Sequence, residues 1–249
     1  MESVWKEKFE IKSYNVDFQQ KLKPSALMQF FQEVASNHAA ELGGGYDVLI
    51  ARELFWALSR LNVEIYRMPG WGESILIETW PCGFEGLFFR RDFIVFDTND
   101  QVIIRGVSAW LLVTVSTLRP QRPSQLGIEL PINKGKKALD RFPERIITQT
   151  DVVAFNKKVA YNEIDQNLHV NNTRYLDWAT DCFQLEHYQN YNLSGISLEF
   201  LSETHWGDEI ELRLGNEGRN SGVEAFDRSS GITLFKAILN WETSELSSC

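Results

Sequence analysis

The chain reads LNVEI at residues 61–65 and ISLEF at residues 196–200, and each run leads into a Trp-Gly-acid triplet, at residues 71–73 and 206–208. The second triplet follows the first by 135 positions. Upstream, Ile164-Asp165 follows Val16-Asp17 by 148 positions, and a helix-like run comes after each pair. These offsets predict one fold present twice, so a polar residue found in only one copy is a candidate for chemistry.

Composition disfavours several classes of function. The net charge of −9 argues against nucleic-acid binding, which needs a basic surface. No apolar run is long enough to span a membrane, and residues 1–6 lack the pattern of a signal peptide. The three cysteines, Cys82, Cys182 and Cys249, have no metal-ligand spacing, so we expect reduced thiols in a cytoplasmic protein without a metal or other cofactor.

The first copy, residues 1–115, has the pattern of a helix followed by strands. Pro24 can begin the helix, because the amide hydrogen that it lacks would be unpaired there. Apolar residues recur at helical spacing as far as His38, and the glycines at 43–45 end the helix. Alternation and turn residues then predict strands at residues 61–65, 74–80, 88–96 and 102–115.

The second copy, residues 151–249, follows a linker, residues 116–150, that is rich in Pro, Gly and basic residues. Its helix should begin at Asn171 or Asn172, both of a type that favours capping positions, and its apolar stripe continues through Cys182 and Phe183. Strands are predicted at residues 209–214, 223–227 and 232–241. Each copy is therefore predicted to be α+β, with a long helix buried against a curled antiparallel sheet.

Three polar residues of the second copy have unlike counterparts in the first: Asn167 against Gln19, His169 against Lys21, and Glu203 against Met68. All three lie at the ends of predicted elements, where side chains can face a cleft. Asp165 matches Asp17 and is therefore expected to be structural, although it could still orient its neighbours.

These side chains could together hydrolyse an acyl bond at the start of the second helix. Free N–H groups there, near Val170 and Asn171, could bind a developing oxyanion. Glu203 could act as a general base on water or as a nucleophile, His169 could orient it or transfer a proton, and Asn167 could donate a hydrogen bond or hold a water. A lone histidine is more often structural, and the asparagines at 171 and 172 alone are simple helix caps, so the hypothesis requires that the three side chains converge.

The stretch DQNLHVNNTRY, residues 165–175, resembles the D-x-N-x-H-V-N-N-x-x-Y signature of acyl-acyl-carrier-protein (acyl-ACP) thioesterases, and residues 198–203 resemble the strand that follows in that family. The resemblance covers nearly the whole chain. It implies a tandem, or double, hotdog fold and hydrolysis of the thioester that links a fatty acyl chain to ACP.

The resemblance also assigns roles to residues. It implies that four are catalytic, namely Asp165, Asn167, His169 and Glu203. We expect four flanking residues to bind substrate, namely Val170, Asn171, Asn172 and Thr204. Plant members commonly have a cysteine after the glutamate; the threonine here removes that thiolate and favours water activated by Glu203.

The partner implied is ACP, with no nucleic acid and no membrane, and the protein is expected to be a monomer or a homodimer. The basic linker residues could meet the acidic carrier or could simply form a solvated segment; they are Lys134, Lys136, Lys137, Arg141 and Arg145. The first copy would shape the acyl pocket, with a depth set by aromatic residues such as Phe30, Phe55, Trp56 and Trp80. The alternatives are an acyl-CoA thioesterase, a hydratase, or a non-catalytic protein that binds acyl thioesters.

Overall fold

The computed structural model describes residues 3–133, 135–217 and 219–244, and it separates into two compact units, residues 1–143 and 144–249. Lys134 and Cys249, which entered the predictions above, lie outside the described residues. Within the described ranges, each unit contains five strands in antiparallel pairing and two α-helices, so the predicted α+β class is confirmed. None of the helices described is both long and apolar enough to span a membrane.

The N-terminal unit follows the predicted order of elements, and its strands are arranged β1-β3-β4-β5-β2. Its helix α1 begins at Pro24 and ends before Gly43, whose φ of 80° suits glycine, so both predicted ends are confirmed. The elements are β1 (Trp5–Glu10), α1 (Pro24–Glu41), α2 (Tyr46–Ile50), β2 (Leu54–Ile65), β3 (Ser74–Glu85), β4 (Phe88–Phe96) and β5 (Val102–Thr114).

Helix α1 packs on this sheet through aromatic side chains. The ring of Phe31 stacks on that of Phe93 in β4, with 4.4 Å between centroids, and Phe30 stacks on Phe9 in β1. Gly106 in β5 makes this approach possible, because a Cβ there would lie 2.9 Å from the Phe31 ring. The apolar stripe read from the sequence is thus the face of α1 that contacts the sheet.

The segment after β5 packs on the same unit as far as Pro143. Leu126 is buried in a cluster with Leu49 and Leu112. Farther along, the amide of Ala138 donates to Asp92 at 2.7 Å. Much of the stretch read as a linker is therefore anchored to the N-terminal sheet.

The C-terminal unit repeats the strand order of the first, as β6-β8-β9-β10-β7. Its elements are β6 (Val152–Lys158), α3 (Asn172–Thr180), α4 (Leu185–Asn190), β7 (Tyr191–Phe200), β8 (Glu209–Glu217), β9 (Asn220–Asp227) and β10 (Thr233–Thr243). The ring of Tyr175 on α3 packs against Phe200 of β7 and Phe235 of β10. The helix therefore lies on the sheet, as predicted.

Helix α3 is shorter than predicted, with nine residues against eighteen in α1. The expectation that Cys182 and Phe183 continue this helix is wrong. The hydroxyl of Thr180 donates to the carbonyls of Leu176 and Asp177, and the carbonyl of Thr180 accepts from the Tyr188 hydroxyl at 2.5 Å. The Thr180 carbonyl thus accepts from a tyrosine hydroxyl, and also from the Phe183 amide, in place of the amide four residues on, so the chain turns and begins α4.

Candidate active site

The turn before α3 is organised by one carboxylate. Asp165 Oδ1 accepts from the backbone N–H of Asn167 at 2.8 Å and from that of His169 at 3.4 Å, and the Asp165 N–H donates to the His169 carbonyl at 2.8 Å. Leu168, between them, has a φ of 64°, a left-handed conformation uncommon for a residue with a side chain. Asp165 thus acts through the backbone and is a positioning residue in this geometry.

The N-terminal unit contains the same turn. Asp17 Oδ1 accepts from the amides of Gln19 and Lys21 at 2.8 and 3.0 Å, and Gln20 has a φ of 62°. Because both copies share this backbone, its hydrogen bonds belong to the fold. The turns differ in their side chains: the imidazole of His169 replaces the ammonium of Lys21, whereas Asn167 and Gln19 both end in an amide, on a shorter side chain in Asn167.

A backbone contact that is present in both units brings Glu203 to this turn. The N–H of Val170 donates to the carbonyl of Thr204 at 2.8 Å, and His169 pairs with His205 in an isolated antiparallel bridge. The N-terminal unit has the matching bond from Leu22 to Pro69. Residue 203 therefore lies beside residue 169 because of the backbone alone.

His169 and Glu203 are in contact. His169 Nε2 lies 3.3 Å from Glu203 Oε2, and the two side chains are 26% and 32% exposed. The ring of His205 meets that of His169 edge to face, with centroids 5.0 Å apart. Asn167 is exposed on the same turn, two residues away. The imidazole and the carboxylate can thus exchange a proton while remaining open to a ligand.

The start of α3 only partly fulfils its predicted role. Asn171 is the N-cap, as predicted, since its Oδ1 accepts from the amide of Thr173 at 3.0 Å. The amides of Val170 and Asn171 already donate inside the unit, to the carbonyls of Thr204 and Glu163, so neither is free to bind an oxyanion in this structure. Among the backbone amides of residues 170–174, all of which are described, that of Asn172 alone has no internal acceptor.

Thr204 lies beneath the turn. It is 0% exposed, and its hydroxyl accepts from the Tyr175 hydroxyl at 2.8 Å. Burial raises the pKa of Tyr175, so its hydroxyl keeps the proton that it donates. In this structure the Thr204 side chain joins α3 to the turn and does not reach solvent.

His205 is the residue at this site that sequence reasoning undervalued. With His169 and Glu203 it offers three ligand atoms that all lie within 4.8 Å of one another, a set able to hold a divalent cation. Spacing along the chain hid this set because His169 lies 34 residues before Glu203. Comparison of the two copies at the offset of 135 does indicate His205, however, because the corresponding residue of the first copy is Gly70.

The N-terminal unit contains a cleft with about 580 Å³ of empty space. Its walls are mainly apolar and come from α1 and strands β2 to β5, with Trp56 and Trp110 among them. Trp80, expected to shape such a pocket, is instead fully buried and donates to the Lys136 carbonyl. This volume includes the open space at the mouth of the cleft.

Comparison with known proteins identifies the family. Residues 2–125 match the acyl-ACP thioesterase N-terminal domain, and residues 148–243 match the acyl-ACP thioesterase C-terminal domain. The chain belongs to the acyl-ACP thioesterase family. The resemblance carried by residues 165–175 is thus confirmed.

Plant members of the acyl-ACP thioesterase family are similar along most of this chain. The oleoyl-acyl carrier protein thioesterase 2 of Arabidopsis thaliana is 28% identical, over 92% of this chain and 67% of its own length. The oleoyl-acyl carrier protein thioesterase of Coriandrum sativum is 29% identical, over 83% of this chain and 61% of its own length. Both plant proteins are chloroplastic.

Solved structures of acyl-ACP thioesterases have the same fold. The crystal structure of one from Bacteroides thetaiotaomicron superposes with a TM-score of 0.85 at 25% identity, over 96% of this chain and 98% of that one. The 12:0-ACP thioesterase from Umbellularia californica superposes with a TM-score of 0.82 at 22% identity, over 98% of each chain. The second likeness concerns the fold alone.

Proposed function

We propose that this protein hydrolyses fatty acyl thioesters of ACP, releases the free fatty acid, and does so with two hotdog folds in tandem. The observation that carries the proposal is the 3.3 Å contact between His169 and Glu203, because the same backbone in the N-terminal unit holds Lys21 and Met68 at these two places. Family membership supports the same reaction.

The reaction proposed needs no group beyond water and these side chains. The thioester carbonyl lies at the start of α3, where the amide of Asn172 and the side chain of Asn167 donate to its oxygen as negative charge develops. Glu203 accepts a proton from water, the water oxygen attacks the carbonyl carbon, and the carbon–sulfur bond breaks. The departing sulfur takes a proton, which His169 is placed to relay from Glu203.

Glu203 could alternatively attack the carbonyl itself and form an acyl-enzyme anhydride. The partial exposure of the Glu203 side chain leaves room for a water beside it and supports the route through water, and the threonine at position 204 removes a competing thiolate nucleophile. Val170, Asn171 and Thr204 then contribute by holding the turn, and Asn172 by contacting substrate.

The remaining parts of the proposal concern partners and location. The cleft of the N-terminal unit would receive the acyl chain. Lys137 and Arg141 are exposed and could meet the acidic carrier, whereas Lys136 is paired with Glu78 at 2.6 Å and is therefore less available. A cytoplasmic location and a monomeric or homodimeric state complete it.

The discriminating experiment measures thiol release from matched acyl-ACP and acyl-CoA substrates of one chain length. We expect a higher kcat/KM on the carrier-linked substrate and a kcat/KM that falls with salt, because charge steers association. Equal or faster turnover of the CoA thioester would indicate an acyl-CoA thioesterase instead. No release from either substrate, with binding retained, would indicate a non-catalytic binding protein.

A further inference from the structure

Arg91 is a buried cation in the wall of the N-terminal cleft. The residue is 8% exposed, and its Nη1 donates to Thr79 Oγ1 at 3.2 Å and lies 3.1 Å from His38 Nδ1. A guanidinium carries only donors, so the histidine nitrogen accepts. Burial lowers the pKa of Arg91 to about 10, which leaves it charged at neutral pH.

Within the described residues, no carboxylate pairs with this guanidinium. The carboxylate of the neighbouring Asp92 instead forms a bidentate ion pair with Arg90, with N–O distances of 2.7 and 3.0 Å. Both polar contacts of Arg91 use Nη1, and the described part of the chain supplies no acceptor to its Nε or Nη2. A ligand inside the cleft could supply the missing acceptor.

The second copy shows that the fold does not require an arginine here. In the N-terminal sheet Arg91 pairs with Pro81. Asn216, which lies 135 positions after Pro81, pairs with Ser221 in the C-terminal sheet. Ser221 is therefore the counterpart of Arg91, and it is buried as well. A buried charge without a counter-ion destabilises a fold, so its presence in one copy only indicates a functional role.

We propose that the cleft binds a chain that brings an acceptor oxygen, a carboxylate above all, to Arg91. The ligand class is an acyl chain with a carboxylate or hydroxyl at its distal end. An apolar wall suits the methylene groups, and a forked donor suits the terminal oxygen. The inference rests on the proposed function in that the chain is the acyl group of the substrate.

Three ligands of equal length test the site without requiring turnover. Octanoate, 1-octanol and octylamine are titrated into the full-length protein by calorimetry. We expect octanoate to bind at least about 10-fold more tightly than 1-octanol, because a charge-assisted hydrogen bond is about twice as strong as a neutral one. Octylamine, a cation without an acceptor, should bind most weakly.

Two variants locate the effect. Arg91→Gln should reduce the octanoate preference to less than about 2-fold, and it should weaken 1-octanol, whose neutral hydroxyl is the poorer acceptor, much less than octanoate. Ala39→Phe, which narrows the cleft without touching the guanidinium, should weaken both ligands alike. If the glutamine variant fails to fold, Arg91→Lys replaces it, and a single ammonium in place of the fork should lower the preference.

Several outcomes would overturn the inference. The first is equal affinity for octanoate and 1-octanol in the unaltered protein. The second is a preference for octanoate that remains in Arg91→Gln. The third is an affinity for both ligands that Ala39→Phe does not change. Hydrolysis of octanoyl-ACP without any such preference removes this inference alone. The preference without hydrolysis of any thioester removes the proposed function alone.

Discussion

The substitution Glu203→Gln keeps the size of the side chain beside His169 but removes the carboxylate that accepts a proton from water. We expect turnover to fall about 10²- to 10⁴-fold, the usual contribution of a positioned general base. That loss corresponds to about 3–5 kcal/mol of transition-state stabilisation. The contact itself contributes about 1 kcal/mol or less to the free energy of unfolding, because both side chains are partly exposed. Activity should therefore collapse while Tm moves by only a few degrees.

The assay follows thiol release from acyl-ACP, with thermal melts recorded on the same samples. Glu209→Gln is the matched control, since Glu209 is an exposed carboxylate of the same unit, 3.6 Å from Arg228. It should keep both turnover and Tm. The reasoning fails if Glu203→Gln retains turnover within about 10-fold of the unaltered protein, or if its activity falls only in proportion to the unfolded fraction.

Three further outcomes are expected. Thr204→Val removes the buried acceptor of the Tyr175 hydroxyl, so urea titration should show the free energy of unfolding reduced by about 1–3 kcal/mol; an unchanged midpoint would contradict this. Burial raises the pKa of Glu163, but hydrogen bonds from Ala160, Lys157 and Trp178 outweigh it and hold that pKa below the usual 4.5. The ionised Glu163 carboxylate therefore stabilises the fold above pH 4.5, and this stabilisation is lost as the pH falls further. Glu163→Gln should consequently lose less Tm on acidification than the unaltered protein. Parallel curves of Tm against pH for the two proteins would contradict this prediction. His205→Ala removes one of three candidate ligands, so a higher concentration of Zn²⁺ should be needed to halve the variant's own turnover. A chelator should leave the turnover of the unaltered protein unchanged. Equal sensitivity of both proteins to zinc would argue against the cluster.

Local signals predicted most of the helix and strand positions. Pro24 and Gly43 mark the ends of α1, and Asn171 caps α3, because each of these residues acts on the backbone immediately beside it. The end of α3 could not be predicted in this way. Its apolar stripe continues at helical spacing, and the bond that helps end the helix comes from Tyr188, eight residues farther on.

The candidate site was predicted in part, for a similar reason. Comparing the copies identified His169 and Glu203, which the structure brings into contact. It could not show that the amide of Val170 is occupied by a carbonyl 34 residues away, because such pairing depends on how the two segments meet in space. Arg91 was also missed, although the equivalent residue of the second copy is Ser221, so this position too differs between the copies.

The two turns with left-handed residues at Gln20 and Leu168 have matching hydrogen bonds but different side chains. The N-terminal turn thus lacks the acid–base pair, but its main chain already has the conformation that the pair requires. Grafting Gln19→Asn, Lys21→His and Met68→Glu would install a second pair without redesigning any loop. Such a protein could be used to measure how much of the chemistry these side chains supply and how much depends on everything around them.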